Sequence, residues 1–164
     1  MGMIEPMLQE MEQESKATRR LLERLPADQL SWKPHAKSFS LGQLALHIAG
    51  IPGRIAEAVQ EDTFEPRAVQ AEPKDREEIL ATFESSLQRA RSLLSAMDDA
   101  MMLRPWSATV KGKAVMTIPR VAALRTIAMN HLYHHRGELV VYLRLLDVPV
   151  PMVYGPTADE NPFV

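Results

Sequence analysis

The chain has no cysteine. Without a thiol, a disulfide scaffold, a zinc ribbon, an iron–sulfur cluster and a cysteine nucleophile are all excluded. Any chemistry must therefore rest on imidazole, carboxylate, hydroxyl or a bound metal. Positive charge is not in excess either: 19 Lys and Arg face 21 Asp and Glu, for a net charge of −2. A weakly acidic chain with no basic stripe is a poor partner for nucleic acid or an anionic membrane surface. No apolar run approaches the ~18 residues that would span a bilayer. The start, Met1-Gly2-Met3-Ile4-Glu5-Pro6, lacks the basic region and long apolar stretch of a signal peptide, and Pro6 stands where a myristoylation motif needs Ser or Thr. There is no internal repeat and no low-complexity segment. These absences lead to the expectation of a soluble cytoplasmic protein, and the length of 164 residues to a single domain over 1–164.

What is present is helical periodicity between prolines, of which there are 12. The first proline-free stretch, Met7 to Leu25, continues a stripe of Ile4, Leu8, Met11, Thr18, Leu22 and Leu25 and stops at Pro26. Ser40-Leu41-Gly42-Gln43 is a capping box opening a second helix, with Leu44, Ile48, Ile51 and Ile55 on its stripe. Gly50, Pro52 and Gly53 predict a kink or break in that helix, which should fade near Gln60. A third helix starts at Pro73 or Asp75 and carries Ile79, Phe83, Leu87, Ala90, Leu94 and Met97. Arg104 to Met116 reads as an extended excursion around Lys111-Gly112-Lys113, either a short hairpin or a loop. The fourth helix, from Thr117–Pro119 to Leu146, is apolar almost all round in its middle and end, which suits a bundle centre or a subunit contact. Four helices point to an all-α four-helix bundle, and the Glu61–Glu72 loop is long enough for a crossover connection.

Three of the five histidines fall within Asn130-His131-Leu132-Tyr133-His134-His135-Arg136-Gly137-Glu138. Positions four apart on an α-helix differ by only ~40°, so His131 and His135 project from one face about one turn apart. Glu138 lies ~20° around from His131. Two imidazoles so placed can reach one cation, though the His131/His134 spacing of three is also open. A third ligand must come from another helix, and His47, beside the apolar stripe of the second, is the candidate. A lone core histidine is more often a hydrogen-bonding residue than a ligand, and an i,i+4 pair alone is a weak signal. His35 sits in a loop before the capping box, with no periodic relation to the rest. Tyr133 and Arg136 read as packing or surface residues. Trp32 and Trp106 read as packing near the bundle ends, with Trp32 also able to wall the metal cavity.

Together, Leu44-Ala-Leu-His47-Ile-Ala, His131-Leu-Tyr-His-His135-Arg-Gly-Glu138, the following Leu139–Leu146 helix with its Val148-Pro-Val-Pro151 close, and the Tyr154-Gly-Pro-Thr-Ala-Asp-Glu160 tail resemble the DinB-like (DinB/YfiT) metalloenzyme family. That family is unrelated to the lesion-bypass polymerase sharing the name. The resemblance runs from Ser31-Trp-Lys-Pro34 to the tail, and departs from the family at Glu138, where Gln is usual. It implies a four-helix bundle of unusual crossover topology, frequently a homodimer, holding a divalent metal on His47, His131 and His135. It also implies kinship with transferases and isomerases that use low-molecular-weight thiols, and with metal-dependent hydrolases.

Three neutral imidazoles leave a divalent cation, zinc or nickel, with most of its charge and an open position for activating water or a thiol. The leading expectation is an enzyme attacking a small electrophilic substrate with a thiol cosubstrate or with water. Glu138 would serve as a partner of a ligand histidine, a proton acceptor or an added ligand. The competing expectation is a non-catalytic, stress-related dimeric bundle whose metal is structural or which binds a ligand without turnover. The Tyr154–Glu160 segment would either fold over the site or cap the bundle.

Overall fold

A computed structural model of the protein describes residues 2–66 and 71–163. The chain is mostly helical with one small sheet, in the order α1 (Ile4–Leu22), α2 (Leu41–Ala58), β1 (Thr63–Phe64), α3 (Arg76–Ser95), α4 (Asp99–Leu103), β2 (Pro105–Val110), β3 (Lys113–Pro119), α5 (Arg120–Ala123), a π-helical stretch (Leu124–Asn130) and α6 (His131–Leu145). The helix starts follow local chemistry. Ser40 and Gln43 form the expected reciprocal capping box on α2, and the Asp75 carboxylate accepts the Glu78 N–H at the head of α3.

The break expected in α2 does not occur, and Pro52 lies inside one continuous helix. Gly53 serves the neighbouring helix instead. The Gly53 N–H donates to Ser86 Oγ on α3 at 2.7 Å, and a Cβ at Gly53 would stand 3.1 Å from the Ser86 backbone. The missing side chain lets the two helices approach closely, and the hydroxyl satisfies a donor beside the proline.

Packing joins α2 to α3 and α6, and α1 to α3 and α6. Leu21, Leu22, Leu44, Ile48, Ile51, Ile79, Phe83, Leu139 and Leu143 fill the space between them, all buried. The apolar character of the last helix is only partly used inward: Leu132, Leu139 and Leu143 are buried, whereas Val141 and Leu145 are more than half exposed.

The excursion before the last helix is a hairpin. Lys111 and Gly112 both have positive φ, 51° and 72°, the two-residue turn whose twist matches antiparallel strands. A third strand was not expected: β1, from the Glu61–Glu72 loop, pairs parallel to β2 through Thr63 and Phe64. Residues 67–70 of that loop lie outside the described residues. Arg120, with no exposed surface, ties the sheet to the helices. Its guanidinium donates to the carbonyls of Val59, Pro105 and Glu61 at 2.8, 2.8 and 3.0 Å and to Asp62 Oδ1 at 2.6 Å. One buried cation thereby closes the end of α2, the start of β2 and the approach to β1.

Candidate metal centre

His47 faces inward from α2 between buried Leu44 and Ile51. His131 opens α6 directly after the π-helical stretch, and His135 follows one turn later. The α2–α6 contact brings all three rings together, each partly buried, with ligand atoms within 4.8 Å of one another. Their Nε2 atoms converge: His131 to His135 is 2.8 Å and His131 to His47 is 3.4 Å. These distances bracket the ~3.3 Å edge expected of a tetrahedron with metal–nitrogen bonds of about 2.0–2.1 Å.

The outer nitrogens show which atoms are left to bind. His131 Nδ1 lies 3.2 Å from the Ile127 carbonyl, and His135 Nδ1 lies 2.6 Å from Glu138 Oε2. A carbonyl and an ionised carboxylate only accept, so both Nδ1 atoms carry the proton and both Nε2 atoms present lone pairs. Two lone pairs 2.8 Å apart repel unless a cation lies between them. A proton is a poor candidate. Burial, followed by the charge of His135, pushes His131 below the usual histidine range. His47 is held down to about 4, by burial first and then by His135, Arg54 and His131. A neutral trio of imidazole donors fits a divalent transition metal.

His47 has a different partner. Arg54 Nη2 lies 3.1 Å from both His47 Nδ1 and the His47 carbonyl. A guanidinium only donates, so in this arrangement His47 Nδ1 accepts and its proton sits on Nε2, directed at His131. Metal ligation through Nε2 would return that proton to Nδ1, and Arg54 would keep the carbonyl bond while giving up the ring.

Beside the three rings lies a cavity of about 370 Å³ lined by His47, His131, Arg54 and Glu65 on the polar side and by Ile51, Phe64 and Trp106 among its apolar walls. Trp106 is the wall residue, buried and stacked on Phe64 at 6.2 Å between centroids, with Nε1 donating to the Ala58 carbonyl at 2.9 Å. Trp32 lies instead edge-on to Tyr142 and lines neither this cavity nor the cleft beyond His135. That second cleft, of about 400 Å³, includes Lys33, Lys37, His135 and Glu138.

His134 points outward, its side chain 65% exposed, where it meets the other oxygen of Glu138 at 3.3 Å and the edge of the His135 ring. Glu138 itself touches the outer nitrogen of His135, so neither residue stands at the point where the Nε2 atoms meet. His35 is exposed in its loop, where Nδ1 accepts the Lys37 N–H. Arg136 is not a surface residue: it is buried and paired with Glu14 at 2.6 Å. The tail turns away from the histidines, with Tyr154 bonded to Glu14 and Arg136, and Glu160 to Arg20. Arg54, seven residues after His47, was missed although it obeys the same periodicity that singled out Glu138. Phe64 and Trp106 had no comparable signal.

A model of the DinB family matches residues 2–161. Among solved structures, a DinB-like protein from Bacillus cereus ATCC 10987 is 25% identical with a TM-score of 0.72, over 90% of this chain and 95% of that one. A DinB-like protein from Bacillus subtilis (21%, TM-score 0.66, 92% and 94% covered) and a DinB family member from Exiguobacterium sibiricum 255-15 (21%, 0.67, 93% and 97%) share the fold. No curated protein matches. The resemblance carried by the two histidine segments, the last helix with its Val148–Pro151 close and the tail thus extends over residues 2–161, and the chain belongs to the DinB family.

Proposed function

We propose that the protein is a divalent-metal-dependent enzyme whose ion, zinc or nickel, is held by His47, His131 and His135. The observation that carries this reading is the facing pair of Nε2 lone pairs on His131 and His135, 2.8 Å apart, in a pocket that disfavours a proton. When bound, such an ion lowers the pKa of a small thiol or of water so that either becomes a nucleophile near neutral pH. The chain supplies the rest. Glu138 fixes the His135 tautomer through Nδ1, and its side chain, 43% exposed, also reaches solvent. The apolar cavity walls exclude water from the small electrophile. Having no cysteine, the chain would use an external thiol for thiolate attack.

The rival reading, a structural metal or a non-catalytic bundle, calls for a fourth protein ligand. Among the described residues only the three histidines form the converging group, and the second cluster, His134, His135 and Glu138, lies on the outer side of His135. An open position favours turnover. The contacts run α1–α3–α2–α6 and back to α1, leaving α1 and α2 across from one another. That order suits the proposed single-domain four-helix bundle with a crossover connection. Val141 and Leu145, exposed on α6, are the proposed seam of a homodimer in the cytoplasm.

Elemental analysis of untagged protein should find about one divalent ion per chain, as a single three-histidine site requires. The His47→Ala variant should lose it. Full metal content in that variant overturns the ligand set. Turnover is then sought by screening small thiols and hydrolysable esters against the loaded protein.

A further inference from the structure

The cavity beside the histidines has one strongly cationic side chain on its wall, and that side chain has no anionic partner among the described residues. Among the described residues, every arginine except Arg54 lies within ion-pair distance of a carboxylate. Arg54 is partly buried, and no carboxylate among the described residues lies within ion-pair distance of its guanidinium. Its Nε donates to the Gly50 carbonyl at 3.4 Å, and its Nη2 to the His47 carbonyl and ring. These bonds orient the guanidinium plane. Nη1 makes no hydrogen bond among the described residues, so its two N–H groups remain for another acceptor.

The neighbouring acids do not supply one. Glu65 also lines the cavity, but its Oε1 accepts the Lys111 N–H at the hairpin turn at 2.9 Å. Glu57 borders the groove on the other side of Arg54, where it is paired with Arg89. The remaining walls are apolar: Ile51, Ile55, Phe64, Trp106, Ala108 and Ile127.

We propose that Arg54 anchors the carboxylate of a small apolar acid in this cavity, so that the compound presented to His47 and His131 is an organic anion with an aliphatic or aromatic body. The inference rests on the site being a metal-dependent substrate site, but only for what happens after binding. Recognition itself needs the guanidinium and the apolar wall: a charge-assisted pair fixes the acid end, and burial against Phe64 and Trp106 holds the body. Loading the metal strengthens the anchor, because His47 then no longer accepts from Nη2.

The probe is 3-phenylpropanoate against its uncharged amide, titrated calorimetrically and by quenching of tryptophan fluorescence, into protein as purified and after chelation. The acid should bind more tightly than the amide by roughly tenfold or more, the scale of a hydrogen bond to a charged group. Arg54→Gln should erase that preference while elemental analysis finds its metal content unchanged. Arg54→Lys, which keeps the charge but loses the planar fork, should retain part of it, and this variant serves if the glutamine form does not fold. A wild-type protein that binds the acid no better than the amide overturns the proposal, as does a preference that survives in Arg54→Gln. A preference that disappears on chelation assigns the anion to the metal and also overturns it. Protein that carries no metal yet keeps an Arg54-dependent preference defeats the metal reading alone.

Discussion

Two polar clusters flank α6, and they are built on opposite plans. On one side, Arg136 donates to the Glu14 carboxylate at 2.6 Å, the Glu14 carbonyl at 3.2 Å and Thr18 Oγ1 at 3.3 Å. Tyr154 bonds to the same carboxylate and guanidinium, and the Tyr133 ring lies 5.1 Å from the guanidinium carbon. Tyr133 in turn donates to Glu10, which Arg125 grips with two bonds of 2.7 and 2.8 Å. Each charge there meets its opposite. On the other side, His131 and His135 point acceptor at acceptor, and Arg54 holds a cation with no anion. A buried polar network that closes on itself is framework. One that stays open asks for something from outside.

Breaking the closed cluster should give the larger loss of stability. Arg136→Met removes one partner of a largely buried pair and leaves Glu14, whose side chain keeps 18% exposure, to hydrate as best it can. The expected cost is about 3 kcal/mol, the lower end for breaking a buried pair, read from urea unfolding. Metal content per folded chain should not change, and a parallel loss of metal would mean that the clusters are coupled.

A smaller effect is expected where the open cluster leans on its support. Glu138→Ala should weaken metal binding by roughly 10–100-fold in a chelator competition, because the His135 tautomer loses its partner. Glu138→Gln should recover most of this, since an amide oxygen still accepts the Nδ1 proton. His134→Ala should leave affinity nearly unchanged. An equal loss in the His134 and Glu138 variants would argue that the outer cluster is itself a ligand set.

A further effect should appear in the metal-free protein as a function of pH. His47 titrates near 6.5 when unfolded and about 4 when folded, so the unfolded chain binds more protons between those values. His131 is shifted in the same direction. Stability is therefore fully present above pH 6.5 and lost as the pH falls toward 4. The urea midpoint of chelated protein should decline over that window, and the His47→Ala variant should flatten it. A midpoint that rises on acidification would show that the trio welcomes a proton and would undo the contrast with the closed cluster.

The contrast also marks what could be read without coordinates. A rigid helix converts spacing into direction, so His131 and His135 were assigned to one face from sequence, and the apolar stripe placed His47 beside them. The capping box at Ser40 and the turn at Gly112 depend on nearest neighbours and were legible for that reason. The pairing of Thr63 with Ser107 joins residues far apart in the chain through a strand too short to show alternation. The cavity wall of Phe64 and Trp106 depends on that pairing, so it stayed hidden as well. Beside Pro52, the Gly53 N–H is satisfied by Ser86 of a different helix, a contact beyond the reach of any local rule. Arg54 was accessible in principle, since a separation of seven returns to nearly the same face, but a charged residue near a helix end looks like surface until its neighbours are known.

The π-helical stretch at Leu124–Asn130 sets the rotational phase of the last helix. Bonds spanning five residues rather than four leave the turns before and after it out of register by the angle of about one residue, ~100° on an α-helix. Arg120 upstream and His131 downstream therefore reach α2 at two separate points, Val59 and His47, from one continuous rod whose phase changes between them. Deleting a single residue within the stretch would return the rod to one phase. Either the clamp on the sheet or the histidine pair would then have to swing away from its target, so the two ends are set independently only because the coil between them is wider.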